Sequence, residues 1–213
     1  MTSKHFLLPR LAWACASFAF NGALLLFQVE SSVAKEIDYS KVQLYLDLGK
    51  VDQASAFLKQ YKDIKGGADY YYYKGRIDSL RSKNKDALNF YLKAVELNPK
   101  HEKAFGAMAL VRGRMGQFKQ ALADLDTAIA INPSYAKAYS NRGVTHGAMR
   151  NNQAAIADFS MAISIDPRLA NAYRNRGITK EMMGDIKGAC SDWKIAKSLG
   201  QEGPAQWIKA QCK

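Results

Sequence analysis

Three Pro residues, Pro99, Pro133 and Pro167, stand at constant steps of thirty-four residues, each behind an acid or amide partner: Asn98, Asn132 and Asp166. Proline fixes φ and lacks an N–H, so this dipeptide predicts the end of one helix and the start of the next at a fixed interval. The positions between them keep the same step. Gly75, Ala109, Gly143 and Gly177 form one series of small residues, followed by Ala87, Ala121, Ala155 and Ala189, and then Ala94, Ala128, Ala162 and Ala196. Large residues recur at Tyr71, Phe105, Tyr139 and Tyr173, and again at Tyr91, Leu125, Phe159 and Trp193. Small residues at constant places predict two helices in close contact, with the large ones as knobs between them.

This arrangement resembles the tetratricopeptide repeat in its aromatic, small residue, alanine, aromatic, alanine and proline at the family's spacing. The resemblance covers residues 68–101, 102–135, 136–169 and 170–201. It implies an all-α fold, a right-handed superhelical solenoid of antiparallel helix pairs with a concave groove. Residues 35–67 read as a degenerate N-terminal copy, because Gly49 matches Gly116 and Gly184, and Ala54 and Leu58 match later core positions. This copy lacks the closing proline and one residue of the interval, as a terminal cap can. Residues 202–213, opened by Gly203-Pro204 and carrying Trp207 and Ile208, predict a short closing helix.

Residues 1–34 have a different character. Lys4 and Arg10 precede residues 11–28, a stretch broken only by Ser17, Asn21 and Gly22, and Ser32, Val33 and Ala34 supply small residues before Lys35. That is a positive region followed by an apolar one, and it predicts a signal peptide or an N-terminal membrane anchor. The expected location is an exported compartment of the periplasm or thylakoid-lumen type, or a membrane surface. The resemblance points to the exported or membrane-associated repeat proteins of bacteria and chloroplasts.

The chain carries +12. Lys4 and Arg10 are the only bases of the leader and Glu30 its only acid, so the remainder stays near +11. A basic surface favours acidic partners. Nucleic acid is disfavoured by the exported address and by the lack of an aromatic-basic RNA motif, zinc finger or basic arm. Catalysis has little to draw on: His5, His101 and His146 have no cysteine or carboxylate at a metal-binding interval, and no phosphate-binding loop or nucleophile elbow occurs. No enzyme activity and no cofactor are expected.

Carrying the family's groove positions onto this chain gives a peptide-binding set of Tyr72, Arg76, Lys103, Leu110, Lys137, Asn141, Val144, Asn171, Arg174, Asn175 and Ile178. Amides and bases with a few aliphatics suit an extended, acidic peptide, whose backbone and carboxylates they can hydrogen-bond. The family's dicarboxylate clamp for chaperone C-termini is not matched, since Tyr72, Arg76, Ala107, Lys137 and Asn141 stand where it needs lysine, asparagine and arginine in a set order. The expected function is a protein-interaction scaffold or assembly factor. The alternative is docking on anionic lipid or nucleic acid by the outer face.

Three further expectations concern packing. Tyr70 and Tyr73 should cover the first, degenerate copy, and Tyr71 should pack within its own unit. Arg142 and Arg176 should pair with Asp158 and Asp192. Cys190 and Cys212, on adjacent helices in an oxidising compartment, could form a disulfide that pins the closing helix.

Overall fold

The structure, a computed structural model, describes residues 37–61 and 67–212. The leader, residues 1–34, lies outside the described residues. Among the described residues there are eleven helices and no strand. They form pairs: α1 (Tyr39–Asp47) with α2 (Val51–Lys59), α3 (Ala68–Leu80) with α4 (Asn84–Leu97), α5 (Glu102–Arg114) with α6 (Phe118–Ile131), α7 (Ala136–Ala148) with α8 (Asn152–Ile165), and α9 (Ala170–Met182) with α10 (Ile186–Ser198). The short α11 (Pro204–Gln211) closes the stack against α10. Each second helix also packs on the first helix of the next pair, and α3, α5, α7 and α9 lie side by side. This is the stacking of a superhelical solenoid of antiparallel helix pairs.

The proline dipeptides end the second helices as expected but do not start the next ones. Asn98, Asn132 and Asp166 are extended C-caps, with φ of −138°, −133° and −130°, because proline excludes the helical region for the residue before it. Their Oδ1 atoms accept the N–H of Lys100, Ser134 and Arg168 at 3.0 Å. The prolines therefore lie in an Asx-type turn, and the following helices begin three residues later at Glu102, Ala136 and Ala170.

The turn inside each pair is equally regular. Gly49, Gly116 and Gly184 have φ of +70°, +74° and +84°, and the corresponding places in the other two pairs hold Ser82 and Arg150 at +59° and +63°. The left-handed conformation is a property of the turn, which the chain imposes even where the residue is not glycine.

Within every pair the interior rests on one contact. A Cβ added at Gly75 would come within 2.5 Å of Tyr91, at Gly143 within 2.8 Å of Phe159, and at Gly177 within 2.5 Å of Trp193. The same places in the other two pairs hold Ala109 with Leu125 and Val42 with Leu58, all buried. The larger the knob on the second helix, the smaller its partner on the first. The alanine series is fully buried around these contacts, so the backbones approach closely.

A second layer of order is electrostatic. Asp124, Asp158 and Asp192 hold equivalent places on α6, α8 and α10 and are buried. A buried carboxylate needs a paired base. Arg142 donates to both oxygens of Asp158 at 2.7 and 2.9 Å and also to Asp126 of the preceding pair, while His146 Nε2 lies 3.8 Å from Asp158. Arg176 does the same for Asp192 and reaches Ser160, and Lys180 adds a contact at 2.8 Å. The expected pairings of Arg142 and Arg176 are thus present. These hydrogen bonds, Asp158 first, hold Arg142 more firmly protonated than a free guanidinium.

Asp124 has only Arg112, at 2.6 Å, among the described residues, because Met108 stands where Arg142 and Arg176 stand in the later pairs. Its Oδ2 is buried without a hydrogen-bond partner. Burial outweighs the attraction of Arg112 and pushes this carboxyl from 3.8 up to about 6.

Both kinds of contact can be tested by substitution. Gly143→Ala should cost about 1–3 kcal/mol by overpacking, and adding Phe159→Leu, which recreates the Ala109–Leu125 contact, should recover much of it; urea unfolding of both single variants and the double variant measures the coupling. Asp124 keeps its proton to about pH 6 when folded but only to about 3.8 when unfolded. Its contribution is therefore complete below about pH 3.8 and is lost as pH rises through about 6. The loss should be on the order of 1–2 kcal/mol after solvent screening, and Asp124→Asn should flatten this part of the stability profile.

Candidate partner-binding face

The face formed by the first helices carries most of the residues expected to meet a partner. Gln43, Arg76, Leu110, Val144 and Ile178 occupy one place on successive first helices and form a ladder across α1, α3, α5, α7 and α9. At its upper end Arg76 Nη1 donates to Gln43 Oε1, so this part is a polar rung already satisfied within the protein. The remaining three rungs are aliphatic. Leu110 is 51% exposed and Val144 47%, so core packing does not account for their apolar character.

Gly113 and Gly147 lie on the same face one turn further on. A Cβ at either would meet nothing within 4 Å, so packing does not require these glycines. They leave the backbone of α5 and α7 open beside Leu110 and Val144. Between α7, α8 and α9 this opening becomes a cleft of about 170 Å³, lined by Val144, Gly147, Asn152, Asn175, Ile178 and Met182 among others.

Bases flank the ladder. Lys103 and Lys137, in the first turns of α5 and α7, border it together with Asn171 on α9. Arg174 is half-buried: its guanidinium lies 5.2 Å from the ring centre of Trp207 and donates to Asn175 Oδ1 at 3.3 Å. Trp207 in turn packs 5.3 Å from Trp193, so the closing helix helps to hold a basic side chain on this face. Asn141 is half-buried, and its backbone carbonyl accepts from Thr145 Oγ1 at 2.9 Å.

Tyr72 is the correction in this set. The sequence places it on the binding face, but the residue is only 9% exposed and packs against Tyr73, Tyr91 and His101 at ring-centre distances of 5.1, 6.1 and 5.0 Å. His101 caps α5 by accepting from Ala104 N at 3.3 Å and lies 3.2 Å from Asp69. Held in this way, its ring covers Tyr72. Burial pushes the Tyr72 hydroxyl up to about 12. The tyrosine is part of the wall between pairs, and Arg76 lies against its ring at 5.9 Å. Of its neighbours, Tyr70 is buried against the first pair, Tyr73 stacks on Tyr39 at 5.2 Å, and Tyr71 packs on Phe90 at 6.4 Å.

Met182, 63% exposed at the end of α9, does not belong to the set read from the sequence. Its signal there is weak, because a methionine in a last helical turn also reads as ordinary packing. Only the cleft shows that it borders Val144 and Ile178.

Among the described residues no group of His, Cys, Asp and Glu could hold a metal, and no helix is long and apolar enough to cross a membrane. Cys190 and Cys212 are joined by a disulfide, with Cα atoms 5.6 Å apart. It ties the end of α11 to α10.

The family profile described as "TPR repeat" matches residues 114–149, and that described as "Tetratricopeptide repeat" matches residues 136–169. No curated relative matches the chain. Among solved structures it is similar to a thermophilic TPR protein of Thermus thermophilus, at 20% identity over 80% of this chain and 93% of that one, with a TM-score of 0.68. It is also similar to YrrB, described as a TPR protein with an unusual peptide-binding site, at 21% identity, 80% and 89% coverage and a TM-score of 0.58. The first TPR of Spaghetti bound to an HSP90 peptide matches at 25% identity, covering 55% of this chain and 93% of that one, with a TM-score of 0.53.

The disulfide closes a loop over a sequence separation of 22, for which chain entropy gives a stabilisation of about 3 kcal/mol. Cys212→Ser should lower stability by that order in urea unfolding, and thiol titration of the unreduced wild type should find neither Cys190 nor Cys212 free.

Proposed function

We propose that this chain, which matches tetratricopeptide-repeat models over residues 114–149 and 136–169 and shares the fold of a thermophilic TPR protein, is a non-catalytic scaffold or assembly factor whose first-helix face binds an extended, acidic segment of a partner protein. The observation that carries the reading is the aliphatic ladder of Leu110, Val144 and Ile178 beside Lys103 and Lys137. Aliphatics aligned across three pairs offer seats for side chains of an extended chain, and the flanking bases favour carboxylates between those seats. YrrB, of similar fold, is described as having a peptide-binding site, and the first TPR of Spaghetti is bound to an HSP90 peptide, which supports a protein partner. The family's chaperone clamp is not matched, because Tyr72, Arg76 and Ala107 stand where a clamp would place lysine and asparagine.

The scaffold works in an exported compartment or at a membrane reached through residues 1–34. Support comes from the charge and apolar pattern of that segment and from the cysteine pair, since disulfides persist in oxidising compartments. On this reading the scaffold assists the assembly of larger complexes at that location.

The test is crosslinked capture of partners by wild type, by Val144→Asp and by the double variant Lys103→Glu with Lys137→Glu, at low and high salt. A discrete protein captured by wild type should be lost with Val144→Asp, and its affinity should fall about tenfold or more with the charge reversals. Capture that ignores all three substitutions and disappears only with salt would place binding on the outer basic surface instead.

A further inference from the structure

A second cavity lies away from the proposed binding face, between α2, α3 and α4. Its volume is about 270 Å³, and it is lined by Leu58, Tyr70, Ile77 and Phe90 with Lys59, Lys74, Arg81, Asp78 and Ser55 at its polar edge. What makes it unlike the equivalent wedges further along is its charge pattern. In the pair α7/α8, Arg142 fills the wedge, clamped between Asp158 of its own pair and Asp126 of the preceding one. In α9/α10, Arg176 is held in the same way by Asp192 and Ser160.

In α3/α4 the same places hold Lys74 for the arginine, Phe90 for the buried aspartate and Lys59 for the residue of the preceding pair. Two bases thus face one wedge from which both acceptor positions are missing. Lys74 Nζ lies over the rings of Phe90 and Tyr70, at 4.4 and 5.3 Å from their centres. Among the described residues, Lys59 makes no ion pair, hydrogen bond or ring contact. Arg81 is already taken by Asp52 at 2.6 Å. Asp78, the one carboxylate among the described lining residues, pairs with neither lysine.

We propose that this cavity binds a small amphiphilic carboxylate, its apolar body against Leu58, Ile77 and Phe90 and its carboxylate between Lys59 and Lys74, in the role that Asp158 and Asp126 play for Arg142. The apolar walls supply the burial and the lysines the charge-assisted hydrogen bonds. The cavity is smaller than the roughly 300–1,000 Å³ of drug-sized sites, which suits a single ring or a short acyl chain. This site is independent of the partner-binding face, since it shares no residue with it.

The experiment is calorimetric titration of the full chain with octanoate, with octanol and octylamine as matched neutral and cationic probes, alongside chemical-shift mapping. Octanoate should bind and shift the resonances of Tyr70, Ile77 and Phe90, while octylamine should not bind. The double variant Lys59→Gln with Lys74→Gln should weaken octanoate by about tenfold or more, whereas Lys119→Gln, a base elsewhere on the chain, should leave it unchanged. Phe90→Asp, which supplies the acid that later pairs carry at this place, should also abolish binding. Equal binding of octanoate and octylamine, or wild-type affinity in the double lysine variant, would overturn the proposal.

Discussion

The contact between a small residue on each first helix and a large one on its partner sets the distance between the two helices, and the rest of the architecture depends on that distance. Gly75 against Tyr91, Gly143 against Phe159 and Gly177 against Trp193 leave no room for a β-carbon. Ala109 meets Leu125 instead, a smaller knob for a larger partner. The sum of the two volumes is held roughly constant, as close packing requires, and successive pairs can then stack with the same geometry. The buried alanines follow from this, because only a methyl fits where two backbones approach so closely.

Once the pairs are stacked, their wedges must be filled. In three pairs a buried aspartate is present, and how well it is compensated varies along the chain. Asp158 and Asp192 each meet two basic side chains, whereas Asp124 meets Arg112 and keeps its proton to a higher pH than a free carboxyl does. In the α3/α4 pair the aspartate is replaced by Phe90, and the base turns to aromatic rings in its place. One position in the repeat thereby produces a firm ion-pair network, a weakly compensated acid and a basic, apolar cavity. Repeats constrain the backbone more strongly than they constrain the chemistry placed on it.

On the first-helix face, Leu110, Val144 and Ile178 line up because they occupy one place in successive units, and the open glycines Gly113 and Gly147 keep that strip accessible. The closing helix contributes by holding Arg174 against Trp207, so the disulfide between Cys190 and Cys212 stabilises part of this face as well as the end of the stack. Tyr72 belongs to the wall beneath it, where it links α3 to His101 at the start of α5.

The pairing of helices, the small and large packing series and the partners of Arg142 and Arg176 were all legible in the sequence. Each is repeated at a fixed step, and a periodic signal survives ignorance of the three-dimensional arrangement. The alignment of Leu110, Val144 and Ile178 was legible for the same reason. The burial of Tyr72, the cleft beside Met182 and the cavity under Lys74 were not, because each depends on how side chains from two neighbouring pairs meet, which the repeat register alone does not specify. A residue's place in the repeat determines the direction in which it points; only the tertiary structure decides whether a neighbouring pair, here His101 over Tyr72 or Lys59 beside Lys74, stands in front of it.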